Sequence, residues 1–142
     1  MAAFLLDANV LIALAWPEHE AHGRVGRWFS KHTRSGWATC PITQSALVRI
    51  LSNPAFSPAA LSVSNALLVL EANVKLPEHH FWPDDISLLE AVSKIGSKGG
   101  TGHRQVTDLY LVGLAVRHRG KLATMDRGIA TLGPEEFIEL IP

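Results

Sequence analysis

Three acids stand where this chain could do chemistry. Asp7 directly follows the apolar run 2–6, Asp126 directly follows Leu122-Ala-Thr-Met125, and Asp108 opens a helical stretch after Thr107. Each alone has a simpler use. Asp7 can cap a helix, Asp108 can complement a helix dipole, and Asp126 can open a turn ahead of Arg127-Gly128. Brought into one crevice, two such charges about 4 Å apart repel by roughly 4 kcal/mol at an effective dielectric near 20. Protons or a cation must then offset them. Oxygen-only ligands in an open, wet site suit Mg²⁺ or Mn²⁺, which keep several waters. Such an ion activates water and steadies the leaving oxygen of a phosphodiester.

Several polar residues stand beside these acids in sequence. Asn9 either caps the first helix or orients Asp7 or a metal-bound water. Thr107 reads most simply as an N-cap; the sharper use turns its hydroxyl toward a metal or phosphate, and the same choice applies to Thr124 and Ser45. The Gly-rich stretch Gly96–Gln105 precedes Asp108, and Gly96–Gly102 reads as a substrate-facing loop. Arg104, at its end, is the cation expected to contact substrate. No Walker A pattern and no G-x-G-x-x-G fits. The 7 histidines show no metal-ligand spacing, and Cys40, the single cysteine, excludes an internal disulfide.

The elements that must position these residues alternate. Residues 2–6 read as a buried strand, followed by a helix closed at Pro17, and a second helix covers about Glu18 to His32. Trp37–Cys40 is a strand, and Thr43–Leu51 a helix ended by Asn53-Pro54. A fourth helix begins with Ser57 as N-cap and Pro58 at its first position. Its stripe of Ala60, Val63, Leu67, Leu70 and Val74 is read as core or dimer surface. His79–Trp82 is a strand, Asp84 caps a fifth helix, Thr107 caps a sixth over Asp108–His118, and Leu122–Met125 and Phe137–Ile141 are strands. This order predicts one α/β domain over residues 1–142: a three-layer α/β/α sandwich around a mostly parallel sheet of about five strands. In such sheets ligands bind beyond the carboxyl ends of the strands, where Asp7 and Asp126 fall.

Composition sets the outer limits. The chain has 142 residues, 47% apolar and 18% charged, with 13 basic and 13 acidic residues. Its mean hydropathy of +0.15 is enough for a real core. No apolar run reaches the roughly 18 to 20 residues that span a bilayer, and no signal peptide is recognised at the N-terminus. The expectation is a soluble, cytoplasmic protein with no membrane partner.

Three segments in register resemble the PIN-domain family: Leu5-Leu6-Asp7-Ala8-Asn9-Val10-Leu11-Ile12, Thr107-Asp108-Leu109-Tyr110-Leu111-Val112, and Leu122-Ala-Thr-Met-Asp126-Arg127-Gly128. Trp37-Ala-Thr-Cys-Pro-Ile-Thr-Gln with Val48-Arg-Ile-Leu-Ser-Asn-Pro54 is similar to a mycobacterial branch of its VapC-type toxins. The resemblance implies a Mg²⁺- or Mn²⁺-dependent endoribonuclease cutting structured RNA (tRNA or rRNA), with Asp7, Asp108 and Asp126 as catalytic and metal-binding acids. It also implies a homodimer and a cognate antitoxin partner. One departure stands out: the family's second acid, early in the helix after strand two, has no counterpart in Thr43–Arg49. Gln44 and Ala46 occupy the matching region, and Gln44 can offer only an uncharged amide oxygen. A second expectation therefore stands beside the first, a weakened or silent PIN-like module that binds RNA or a partner.

The zero net charge conceals segregation. Residues 21–50 carry Arg24, Arg27, Lys31, Arg34 and Arg49 with no acid, and residues 94–121 carry six basic residues against Asp108 alone. Two basic blocks that flank an acidic site in sequence can steer a phosphate backbone toward it.

Overall fold

The computed structural model describes residues 3–96 and 102–142. Its centre is a five-stranded sheet of β1 (Phe4–Leu6), β2 (Trp37–Thr39), β3 (His79–Phe81), β4 (Lys121–Thr124) and β5 (Ile138–Leu140). The order is β3-β2-β1-β4-β5, and every pairing is parallel. Phe4 pairs with Trp37 on one side and Lys121 on the other. The chain builds outward from β1 in one direction through β2 and β3, then returns to the other side of β1 for β4 and β5. The crevice beyond the carboxyl ends of β1 and β4 is therefore the topological switch point, where open α/β sheets bind ligands.

Strand side chains alternate between two buried layers, as a two-residue period demands. Leu5, Ala38 and Leu122 face α5 (Leu88–Ile95) and α6 (Val106–Arg117). Leu6, Trp37 and Ala123 face α1 (Ala8–Ala15), α2 (His22–His32), α3 (Pro41–Leu51) and α4 (Val63–Val74). The expected three-layer sandwich is thus present. Gly113 lets α6 lie directly on α5, because a Cβ there would stand 2.4 Å from the Ala91 carbonyl oxygen. Among the described residues no helix is long and apolar enough to cross a membrane.

Several helix starts differ from the sequence reading. α2 begins at His22 instead of Glu18, because residues 16–21 are spent on turns in which His19 N donates to the Trp16 carbonyl and Ala21 N to His19 Nδ1. α4 begins at Val63 with Ser62 as its cap, whose Oγ accepts from Asn65 N at 3.1 Å. Ser57 closes a local turn instead, while Leu61 N is drawn to the Leu51 carbonyl at 2.9 Å. The expected stripe is accordingly displaced: Ala66 is the buried contact of α4, and Val63 and Leu67 are half exposed or more. α5 is capped by Ser87, and Asp84 instead accepts the Tyr110 hydroxyl at 2.9 Å. α6 begins at Val106 after a single tight turn, His103–Gln105, which makes Thr107 its second residue and Gln105 its cap.

Candidate active site

Asp7 is the first residue after β1 and the N-cap of α1. Its Oδ1 accepts from Ala8 N at 2.8 Å and its Oδ2 from the Thr124 hydroxyl at 2.8 Å. Asp7 N in turn donates to the Ala123 carbonyl at 2.9 Å, so β1 and β4 hold the acid from two sides. Thr124, the last residue of β4 and fully buried, is the hub of this join. Its Oγ1 also accepts from Asp126 N at 3.0 Å and from Asn9 Nδ2 at 3.4 Å. Asn9 Oδ1 meets Met125 N at 3.4 Å. Asp126 lies two residues beyond β4, exposed, its Oδ1 accepting from Gly128 N at 2.8 Å.

Asp108 comes from the opposite layer, in the first turn of α6, where the helix dipole favours an anion. It shares a cleft of about 570 Å³ with Asp7, Thr107, Ser45, Ala46 and Arg49. Burial, then the charges of Asp7 and Asp126, push its carboxyl up to about 6. Asp7 is raised by burial above all; its bonds from Thr124 and Ala8 restrain the rise, and the charge of Asp126 adds to it. The three carboxylates therefore feel one another. Among the described residues no basic side chain comes within ion-pair distance of any of them.

The donors that these three residues offer are carboxylate oxygens. Among the described residues no three His, Cys, Asp or Glu side chains are grouped closely enough to hold a metal ion by themselves. Asp7 and Asp108 line an open cleft and Asp126 is exposed outside its lining, oxygen donors of the kind that a hard cation takes while keeping much of its own water. Mg²⁺ and Mn²⁺ behave in this way. Asp7, Asp108 and Asp126 are the side chains that could contribute ligands to such an ion.

The PIN domain model matches residues 4–133. The chain belongs to the PIN-domain family. Ribonuclease VapC39 of Mycobacterium tuberculosis is 40% identical over 141 residues, covering 96% of this chain and 98% of that protein. Ribonuclease VapC29 of the same organism is 45% identical over 138 residues, covering 97% and 96%. Within the family, this PIN domain is therefore of the VapC type. Two solved structures share its fold. VapBC2 from Rickettsia felis, bound to a DNA fragment from their promoter, superimposes with a TM-score of 0.66 at 10% identity, covering 99% of both chains. FitAcB from Neisseria gonorrhoeae does so with a TM-score of 0.61 at 20% identity, covering 98% and 96%.

The other expected positions of this PIN domain divide. Asn9 and Thr124 sit beside Asp7 as links between strand ends, and Thr107 and Ser45 line the cleft. Gln44 does not line it: its Nε2 donates to Thr39 Oγ1 at 2.9 Å, and the residue faces a second groove against α4. The residue expected to assist a metal is thus engaged by Thr39 and outside the cleft lining, and Ala46 presents no carboxylate from α3. Arg104 is exposed on the turn before α6, outside the lining of the cleft. Most of the expected Gly96–Gly102 loop lies outside the described residues. Sequence reading missed Arg49 as a residue of the cleft. The signal was available, since Pro41, Ser45 and Arg49 recur every four residues and so share one face of α3.

Proposed function

We propose that this chain is a metal-dependent endoribonuclease, the toxin of a toxin–antitoxin pair. The observation that carries the reading is the set of Asp7, Asp108 and Asp126, close enough to feel one another's charge and without a basic partner among the described residues, at the switch point of a PIN-domain sheet. The ribonuclease names of its relatives support the activity, and the VapBC neighbours support an antitoxin as partner. The substrate is structured RNA, tRNA or rRNA, and the working form is a homodimer in the cytoplasm.

Bound by these carboxylates, Mg²⁺ or Mn²⁺ supplies Lewis acidity, which activates water and steadies the leaving oxygen of a phosphodiester. The chain's own part is to hold the acids ready. Thr124 fixes one oxygen of Asp7 and the backbone of Asp126 through a single hydroxyl. α6 delivers Asp108 from the other layer, and α3 forms one wall of the cleft, along which RNA lies. Incubating RNA with the protein and Mg²⁺ or Mn²⁺ tests the reading. Cleavage is expected, lost with EDTA and lost in Asp7→Ala; equal cleavage by that variant would sink the assignment.

One observation favours a second reading, a weakened or silent module that binds RNA or a partner. α3 contributes Ser45, Ala46 and Arg49 to the cleft and no acid. Growth arrest of bacteria expressing the chain, relieved by Asp108→Asn, speaks for the enzyme; no arrest and no cleavage speaks for the module.

A further inference from the structure

One wall of the cleft that holds Asp7 and Asp108 is formed by α3. Pro41, Ser45 and Arg49, spaced by one turn each, form a ridge. The ridge borders two grooves at once. On one side is the cleft with Asp7, Thr107 and Asp108. On the other is a groove of similar size, about 570 Å³, lined by Val48, Val63, Leu67 and Leu70 of α3 and α4.

Arg49 stands apart from the chain's other cations. Arg24, Arg27 and Lys31 line a separate groove beside Trp28 and Glu139, and Arg24 Nη1 is tied to the Pro142 carbonyl at 2.9 Å. Arg117 reaches Asp85. Among the described residues, Arg49 is the one Lys or Arg lining the acid cleft, and its guanidinium has no hydrogen-bond or ion-pair partner. An exposed guanidinium left unpaired in a cleft with two carboxylates is available to an incoming anion, and its planar fork matches phosphate oxygens two at a time.

We propose that Arg49 is the backbone anchor of the site, gripping a phosphate of the RNA strand in the cleft that holds Asp7 and Asp108. This inference rests on the ribonuclease reading and adds to it the residue that binds substrate. Ser45, one turn earlier on the ridge, offers a hydroxyl to the same strand. The acids and the cation in one cleft orient the strand, so that one phosphate is held while its neighbour meets the acids.

Binding is measured by fluorescence anisotropy with a short, labelled, mixed-sequence single-stranded RNA in EDTA, so that no cleavage occurs. Wild type, Arg49→Ala, Arg49→Lys and Arg34→Ala are compared over about 50 to 200 mM salt. Arg34 lies in the turn before β2, at the amino ends of the strands, and serves as the control for lost charge. Arg49→Ala is expected to bind about tenfold more weakly, with the log–log salt slope reduced by about 0.7. Arg49→Lys restores the slope but only part of the affinity, because the fork is gone. Arg34→Ala loses only the small long-range share of one distant charge. Binding by Arg49→Ala equal to that of Arg34→Ala overturns the inference. If wild type cleaves RNA while Arg49→Ala binds unchanged, only the anchor falls; if wild type neither binds nor cleaves RNA, both proposals fall.

Discussion

Replacing Asp108 by Asn removes a carboxyl whose ionisation the fold opposes. Its folded value of about 6 lies above the ordinary 3.8, because of burial and the charges of Asp7 and Asp126. The folded protein thus holds a proton that the unfolded chain has released across the interval between them. Stability from this group is greatest below about pH 4, declines as pH rises through about 6, and is level above. The gap corresponds to about 3 kcal/mol at 1.36 kcal/mol per pH unit. Asp108 is only partly buried and screened by solvent, which brings the expected effect to about 1 kcal/mol. Metal-free Asp108→Asn near neutral pH should therefore unfold at a temperature roughly 2–5 °C higher than wild type. Its advantage should vanish near pH 4. Added Mg²⁺ should raise the melting temperature of wild type and not of the variant, which should also lose RNA cleavage. Thermal denaturation in EDTA over this pH range is the assay. A variant no more stable than wild type at neutral pH would refute the picture of three mutually repelling carboxylates.

Thr124→Val keeps the shape of a fully buried side chain but removes the donor to Asp7 and the acceptor for Asp126 N. Urea denaturation should show a loss of about 2 kcal/mol, together with a steeper fall in stability as pH rises, since Asp7 loses a bond that favours its charged form. Gly113→Ala would place a methyl 2.4 Å from the Ala91 carbonyl oxygen, which belongs to the backbone of α5 and cannot swing aside. A loss of about 1–3 kcal/mol is expected; wild-type stability in the same urea titration would mean that the two helices are not in backbone contact.

The acids were legible because each sits at a boundary that the pattern marks: the end of an unbroken apolar run for Asp7, the end of the short strand 122–125 for Asp126, the start of a helical pattern for Asp108. The α/β class was equally legible from the alternation of elements. Strand order was not, since nothing local to residues 4–6 or 121–124 says that they are neighbours, and that adjacency makes the switch point. The start of α4 was misread because Ser57-Pro58 has the chemistry of a helix start, whereas a long-range bond from Leu61 to Leu51 holds the chain in a turn there. Gln44 was misdirected for a related reason. Its neighbours in sequence said which helix carries it, but only the shape of the turn from β2 into α3 brings its amide to Thr39.

The join between Asp7 and Thr124 spans 117 positions of sequence. The first acid leaves the ribosome early, while its supporting hydroxyl and Asp126 come more than a hundred residues later. At about 5–20 residues per second, several seconds or more separate their synthesis. During that interval β1 has β2 beside it on one edge and an empty edge on the other. A stalled or truncated chain that lacks β4 has Asp7 but no partner for it, and so has no site. For a protein proposed to cut RNA in the cell that makes it, this wiring delays competence until the translating ribosome has passed residue 126, and fragments that end before β4 lack the completed site.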